Sequence, residues 1–197
     1  VQGVPLPAIS GGEYTFKHMP KAESTIEYKA NKLTLLQIEQ DMQKLLNGAT
    51  GASIGAKNAE MLKAAVDDIM ATRMFAHDAA GNMVGAASYT TKGKTITVNA
   101  MGAVSGKNVG GSILAEISKV ADLNGINKII IKSVPEAAPF YKQIGIKLQG
   151  GTLDTYVLSG KDINKFYTQY TAEGIAKIEQ AKAAQVIANE LKAKALA

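Results

Sequence analysis

The chain has 197 residues, 46% hydrophobic and 20% charged, a balance ordinary for a soluble globular protein and enough for one domain with extensions around a sizeable core. It holds no cysteine, which excludes disulfides, thiolate metal sites and a cysteine nucleophile. The net charge of +5 favours an anionic partner in general terms, but the lysines are scattered and Arg73 is the only arginine, so no nucleic-acid partner is expected.

Residues 1–12 carry Pro5, Pro7, Gly11 and Gly12 and read as a linker or arm. They lack the basic start and long apolar stretch of a secretory signal, and without an initiator Met the chain is expected to be trimmed or part of something longer. Nowhere does an apolar run approach the roughly 18 residues of a membrane span, so none is expected. The compartment stays open, with the cytoplasm or a larger assembly as the expectation.

In "EYTFKHM" (13–19), Tyr14, Phe16 and His18 alternate with Thr15 and Lys17, which predicts a half-buried strand ended by Pro20. Two amphipathic helices are predicted next, over 31–46 with Asn31 as cap and over 57–73, joined by the small-residue loop 47–56. From residue 74 the period becomes strand-like. Strands over 74–78, 83–91 and 95–101, separated by the turns "AAGN" and "KGK", read as an antiparallel meander. The glycine-rich turn "GAVSGKNVGG" (102–111) then opens a helix over 109–124 that stops at Gly125. "KIIIKS" (128–133) suits a central strand, "AAPFYKQI" (137–144) a short helix, and 146–150 and 152–159 two closing strands. Phe166, Tyr167 and Tyr170 are expected to pack a last short helix over 161–170 on the domain. The Ala-rich remainder, 171–197, has high helix propensity but a thin apolar stripe.

The turn at 102–111 is the candidate site. It fails as a P-loop, because Met101 and Asn108 stand where a glycine and a Ser or Thr are needed. A dinucleotide fingerprint fails as well, since Asn108 replaces the middle glycine and a meander precedes the turn. Two readings remain. The unpaired amides at a helix start could cradle a pyrophosphate, with Lys107 and Ser112 assisting, or Gly106, Gly110 and Gly111 could simply allow a tight turn and close packing. The histidines His18 and His77 lie far apart without metal-ligand spacing, so no metal is expected.

The order of elements and two segments resemble the GNAT superfamily of acyl-CoA-dependent N-acetyltransferases over roughly residues 13–160. That family's pyrophosphate loop, R/Q-x-x-G-x-G/A, falls on Ser105-Gly106-Lys107-Asn108-Val109-Gly110, with Ser105 in place of Arg or Gln and Asn108 in place of the first glycine. "EAAPFYKQIGIK" (136–147) is similar to its A-x-x-F/Y-Y-x-x-x-G-F pattern, with Ala137, Phe140, Tyr141 and Gly145 in place and Ile146 where Phe is usual.

The resemblance implies an α/β (α+β) fold: a mixed, mainly antiparallel sheet flanked by helices, as a GNAT-like domain over 13–170 with a C-terminal helical extension over 171–197. It implies acetyl-CoA as co-substrate, held by Ser105, Gly106, Lys107, Asn108, Val109, Gly110 and Gly111. The pantetheine arm would lie in a splay between strands 95–101 and 128–133, with a backbone amide near Ala100 or Met101 polarising the thioester. Tyr141 would protonate the departing thiolate, and the acceptor would be an amine of a small molecule or protein. Asp78 and Glu136 are distant candidates for a base, against the plainer reading of each as a solvated strand or turn end. The alternative function is a GNAT-fold module with weakened or lost catalysis that serves as a structural or interaction domain. In either case the terminal helix is a candidate contact for a protein partner.

Overall fold

The computed structural model describes residues 14–169 and 172–196; the arm expected at 1–12 and Tyr170 lie outside the described residues. Strand β1 (Thr15–Met19) leads into helices α1 (Thr25–Leu46) and α2 (Ala56–Asp67), then strands β2 (Thr72–His77), β3 (Met83–Lys92) and β4 (Thr95–Ala103). Helix α3 (Val109–Leu123), β5 (Lys128–Lys132), a single 3-10 turn (Pro135–Ala137), α4 (Ala138–Ile144), β6 (Lys147–Leu148), β7 (Thr155–Ser159), α5 (Lys161–Thr168) and α6 (Ala172–Ala195) follow. No helix among the described residues is long and apolar enough to cross a membrane.

The strands form one sheet in the order β1-β2-β3-β4-β5-β7-β6. All neighbours run antiparallel except β4 and β5, which are parallel because α3 carries the chain back across the sheet between them. The mixed, mainly antiparallel sheet expected from the sequence is therefore the one observed.

Register assigns the two faces. Phe16, Ala76, Gly85 and Ala103 lie side by side across β1 to β4, and a Cβ at Gly85 would press on Ile113 and Val109, so this face packs on α3. Lys17, Phe75, Ala86 and Gly102 point the other way, toward α1 and α2. Helix α2 seats so closely on β4 that a Cβ at Gly102 would collide with the Asn58 carbonyl oxygen and the Leu62 amide. The core fills both layers, with Leu62 of α2 and Phe75 on one face of the sheet and Met74 with Ile113, Leu114 and Ile117 of α3 on the other, all essentially inaccessible.

Two helix boundaries differ from expectation. Helix α1 starts at Thr25, six residues before the predicted segment, because Ser24 caps it: the Ser24 hydroxyl accepts the Glu27 amide at 3.2 Å. Helix α2 ends at Asp67 rather than 73, and the residues after it turn tightly, with the Ala71 amide donating to the Asp68 carbonyl. Arg73 belongs to β2, where its guanidinium donates to the Val66 carbonyl at 2.9 Å and so satisfies a terminal carbonyl of the helix it was expected to extend.

Gly102→Ala should destabilise the fold by about 3 kcal/mol, since both obstructing atoms are backbone and neither can rotate away. Urea unfolding would show a lower midpoint with an unchanged m value.

Candidate functional site

Strand β4 makes the site by changing partners along its length. It pairs with β5 from Thr95 to Val98 and with β3 all the way to Ala103. Between Val98, opposite Tyr89, and Ala100, opposite Ser88, the register shifts and Asn99 becomes the extra residue of a β-bulge. Val98 and Ala100 are two apart in sequence yet face opposite sides of the sheet, and beyond Val98 the ladder to β5 stops. The two parallel strands therefore splay, as the resemblance implies.

A cavity of about 520 Å³ opens at that splay. It is walled by Met101 and Ala103 of β4, Lys57, Asn58 and Met61 at the start of α2, the turn before α3, and Ser133, Phe140 and Tyr141 from the segment after β5. Both sequence segments thus meet in one space. Of the residues implicated from sequence, Met101, Ser105, Gly106, Asn108, Val109, Gly110, Gly111 and Tyr141 line it. Ala100 is buried in the core beside Ser88, and Lys107 is also outside the lining.

The glycine turn has the form of an anion cradle. Asn108 is left-handed, at φ 55° and ψ 22°, and is the only non-glycine residue with positive φ among those described. It occupies the place of the family's first glycine, and Asn tolerates this region better than other side-chain-bearing residues. Among the described residues, the amides of 106–111 make no hydrogen bond, and the first return bond of α3 is from the Ser112 amide to the Asn108 carbonyl at 3.0 Å. Their N–H groups lie at the positive end of a buried helix, an arrangement whose chemistry suits an anion. Ser112 does not assist, because its hydroxyl donates to the Asn108 carbonyl at 2.7 Å and is fully buried.

Tyr141 is held on three sides. Its ring stacks on Tyr156, with centroids 4.1 Å apart, and meets Phe140 edge-on at 5.1 Å. Phe140 in turn covers Gly110, where a Cβ would stand 3.0 Å from the ring's Cζ, so α4 rests directly on the first turn of α3. Burial raises the Tyr141 phenol above its ordinary value of 10, against a hydrogen bond with Ser133 that lowers it, and Tyr156 adds to the rise.

Other candidates fall into plainer roles. Asp78 accepts the Ala80 and Asn82 amides at 3.0 and 2.9 Å and so shapes the β2–β3 turn. Glu136 reaches the cavity wall but is exposed at its rim. His77 pairs with Asp41 of α1 at 3.2 Å. His18 meets Glu116 of α3 at 3.0 Å in the core; burial, with a smaller push from that carboxylate, raises the Tyr89 phenol to about 12. No group of His, Asp and Glu among the described residues could hold a metal ion. Sequence reasoning missed Ser133 and Asn58, neither of which stands in a recognisable pattern; Asn58 offers its side-chain oxygen to the Ala103 amide at 3.4 Å.

No family model and no curated protein sequence matches the chain. Among solved structures, a Tyr-to-Phe mutant of the AtaT toxin, bound to the C-terminus of the antitoxin AtaR and acetyl-CoA, is 14% identical with a TM-score of 0.51, covering 80% of this chain and 99% of its own. A GNAT-family acetyltransferase from Staphylococcus aureus Mu50 is 12% identical at a TM-score of 0.45, covering 74% of this chain and 99% of its own. The catalytic domain of Tetrahymena GCN5 histone acetyltransferase, in complex with coenzyme A, is 10% identical at 0.42, covering 74% and 92%. The AtaT alignment carries the fold assignment: this chain has the GNAT fold, in a sequence far diverged from those structures.

If Asn108 is tolerated in the left-handed region by its side chain, Asn108→Ala should cost about 1 kcal/mol, whereas Asn108→Gly should stay within about 0.5 kcal/mol of the parent. Thermal unfolding of the two variants side by side checks both values.

Proposed function

We propose that this protein is an N-acetyltransferase that moves an acetyl group from acetyl-CoA to an amine. One observation carries the reading: a single cavity at the β4–β5 splay gathers a nest of unpartnered amides at one wall and a buried, protonated phenol at another. The AtaT structure, which shares the fold, is bound to acetyl-CoA, and that supports the choice of donor.

In this reading the pyrophosphate sits on the amides of the 105–111 turn, with no side-chain cation required. The pantetheine arm runs along the edge of β4 that β5 leaves unpaired, and satisfies backbone groups there as an added strand would. A neutral amine attacks the thioester carbonyl, whose developing oxyanion takes a hydrogen bond from a β4 amide near Met101. The C–S bond then breaks, the thiolate takes the proton of the Tyr141 hydroxyl, and the phenol is restored from solvent as the new amide loses its extra proton. The environment of Tyr141 favours this. A phenol held above its ordinary value of 10 stays protonated through the neutral range, ready to donate.

The acceptor's proton leaves through water in this scheme, since Glu136 stands only at the rim. The acceptor belongs to the open side of the cavity, toward Lys57 and Met61 of α2. A purely structural module is not favoured, because packing alone requires neither a cavity nor a row of amides left without partners.

Calorimetric titration with acetyl-CoA should give measurable heat and thermal stabilisation; silence in both at millimolar ligand would defeat the proposal. With an acceptor in hand, Tyr141→Phe should lower kcat roughly 100-fold while the acetyl-CoA Kd stays within about twofold, and unchanged turnover would remove the acid role. The parent's kcat should hold up to pH 10 and fall only above it, because the raised phenol must deprotonate before the acid is lost.

A further inference from the structure

We propose that Tyr14, outside both motif segments and outside the cavity, is the positioning residue that aims the pyrophosphate-binding amides; the inference rests on the acyl-CoA reading above. The Tyr14 hydroxyl donates to the Lys107 carbonyl at 2.6 Å, across 93 positions of sequence, and the side chain is only 4% exposed. Across a trans peptide the carbonyl and the following N–H point in opposite directions, and no peptide bond among the described residues is cis. Holding the Lys107 carbonyl down toward the core therefore turns the Asn108 N–H away from it, to the side on which Asn108 lines the cavity.

The next residue compounds the effect. With Asn108 left-handed and Val109 opening α3, the successive N–H groups of 108–110 form one concave set, and the peptide that Tyr14 grips is its first plane. Were that plane to flip, the Lys107 carbonyl would face the anion in place of an N–H. A carbonyl dipole there repels what the amide attracts, so a single hydrogen bond decides the sign of the contact.

Strand β1 is suited to this work because it is itself fixed. Four residues beyond Tyr14, on the same face, His18 meets the fully buried Glu116 at 3.0 Å, and Phe16 between them is buried. The start of β1 is thereby tied to the loop before α3 while its end is tied to the helix itself. The grip on Lys107 is thus referenced to the same helix whose N-terminus faces the cavity.

The test compares the parent with Tyr14→Phe, which keeps the ring and deletes the donor. Calorimetry measures CoA, and competition against CoA measures pantetheine, which lacks the pyrophosphate. The expected result is a CoA Kd raised five- to tenfold, about the size of one lost hydrogen bond, with the pantetheine constant unchanged. A CoA Kd within twofold of the parent overturns the proposal, and so does an equal loss for both probes, which would mark Tyr14 as merely structural. Should Tyr14→Phe fail to fold, the parent decides alone: inorganic pyrophosphate must move the Asn108 amide proton in an NMR titration, and shifts confined to residues outside 106–111 overturn the assignment. A parent that binds neither CoA nor pyrophosphate defeats the acyl-CoA reading itself, and the inference with it; a parent that binds while the variant behaves identically defeats the inference only.

Discussion

The extra residue at Asn99 is the constraint on which the site depends. Strands in a continuous ladder leave no room between them, because paired strands lie only about 4.8 Å apart. By inserting one residue against β3, β4 twists off β5 after Val98 without losing its own support, since its other edge remains paired to Ala103. The consequence is a length of strand held rigidly on one side and open on the other. Everything else at the cavity is arranged around that edge: α2 pinned on Gly102 behind it, the 105–111 turn at its end, and the Phe140–Tyr141 pair across from it.

Polar groups in the interior hold this arrangement together from the side away from the cavity. Arg73 is buried with its guanidinium on the Val66 carbonyl and near Met19, and burial lowers its pKa against the raising influence of Asp68 and Asp67. The His18–Glu116 contact sits beneath α3 in the same way. Each would be costly to leave unmet in the core, so each fixes how a helix is seated on the sheet. The turn at the start of α3 inherits its position in part from the His18–Glu116 contact.

Much of this is legible in the amino-acid order. The alternation of Tyr14, Phe16 and His18 announces a strand with one buried face, and the structure buries Tyr14 and Phe16 and half-buries His18 on the side that faces α3. The glycine turn and the "PFYKQIG" segment stand out because glycine and paired aromatics are restrictive choices, and the cavity brings them together. The start of α1 is also written in the sequence, in the Ser24-x-x-Glu27 spacing of a capping box, a signal that the choice of Asn31 as cap passes over. The end of α2 was not, because "DDIMATR" keeps a helical apolar period up to the strand that claims Arg73. Nor does the sequence locate the bulge: Asn99 is of a type depleted in strands, but one such residue inside "TITVNAM" does not say where the register shifts. Tyr14's hold on Lys107 is equally invisible in one dimension, since it joins residues 93 positions apart through a carbonyl that every residue possesses.

The contact between Gly110 and Phe140 links the sizes of two distant side chains. A methyl group at position 110 would stand 3.0 Å from the far edge of the Phe140 ring and would ask that ring to give by a few tenths of an ångström. Any larger side chain has to push the ring further, and the ring is the edge-on neighbour of Tyr141. Bulk at the start of one helix is thereby transmitted, through a single ring, to the seating of the phenol on another.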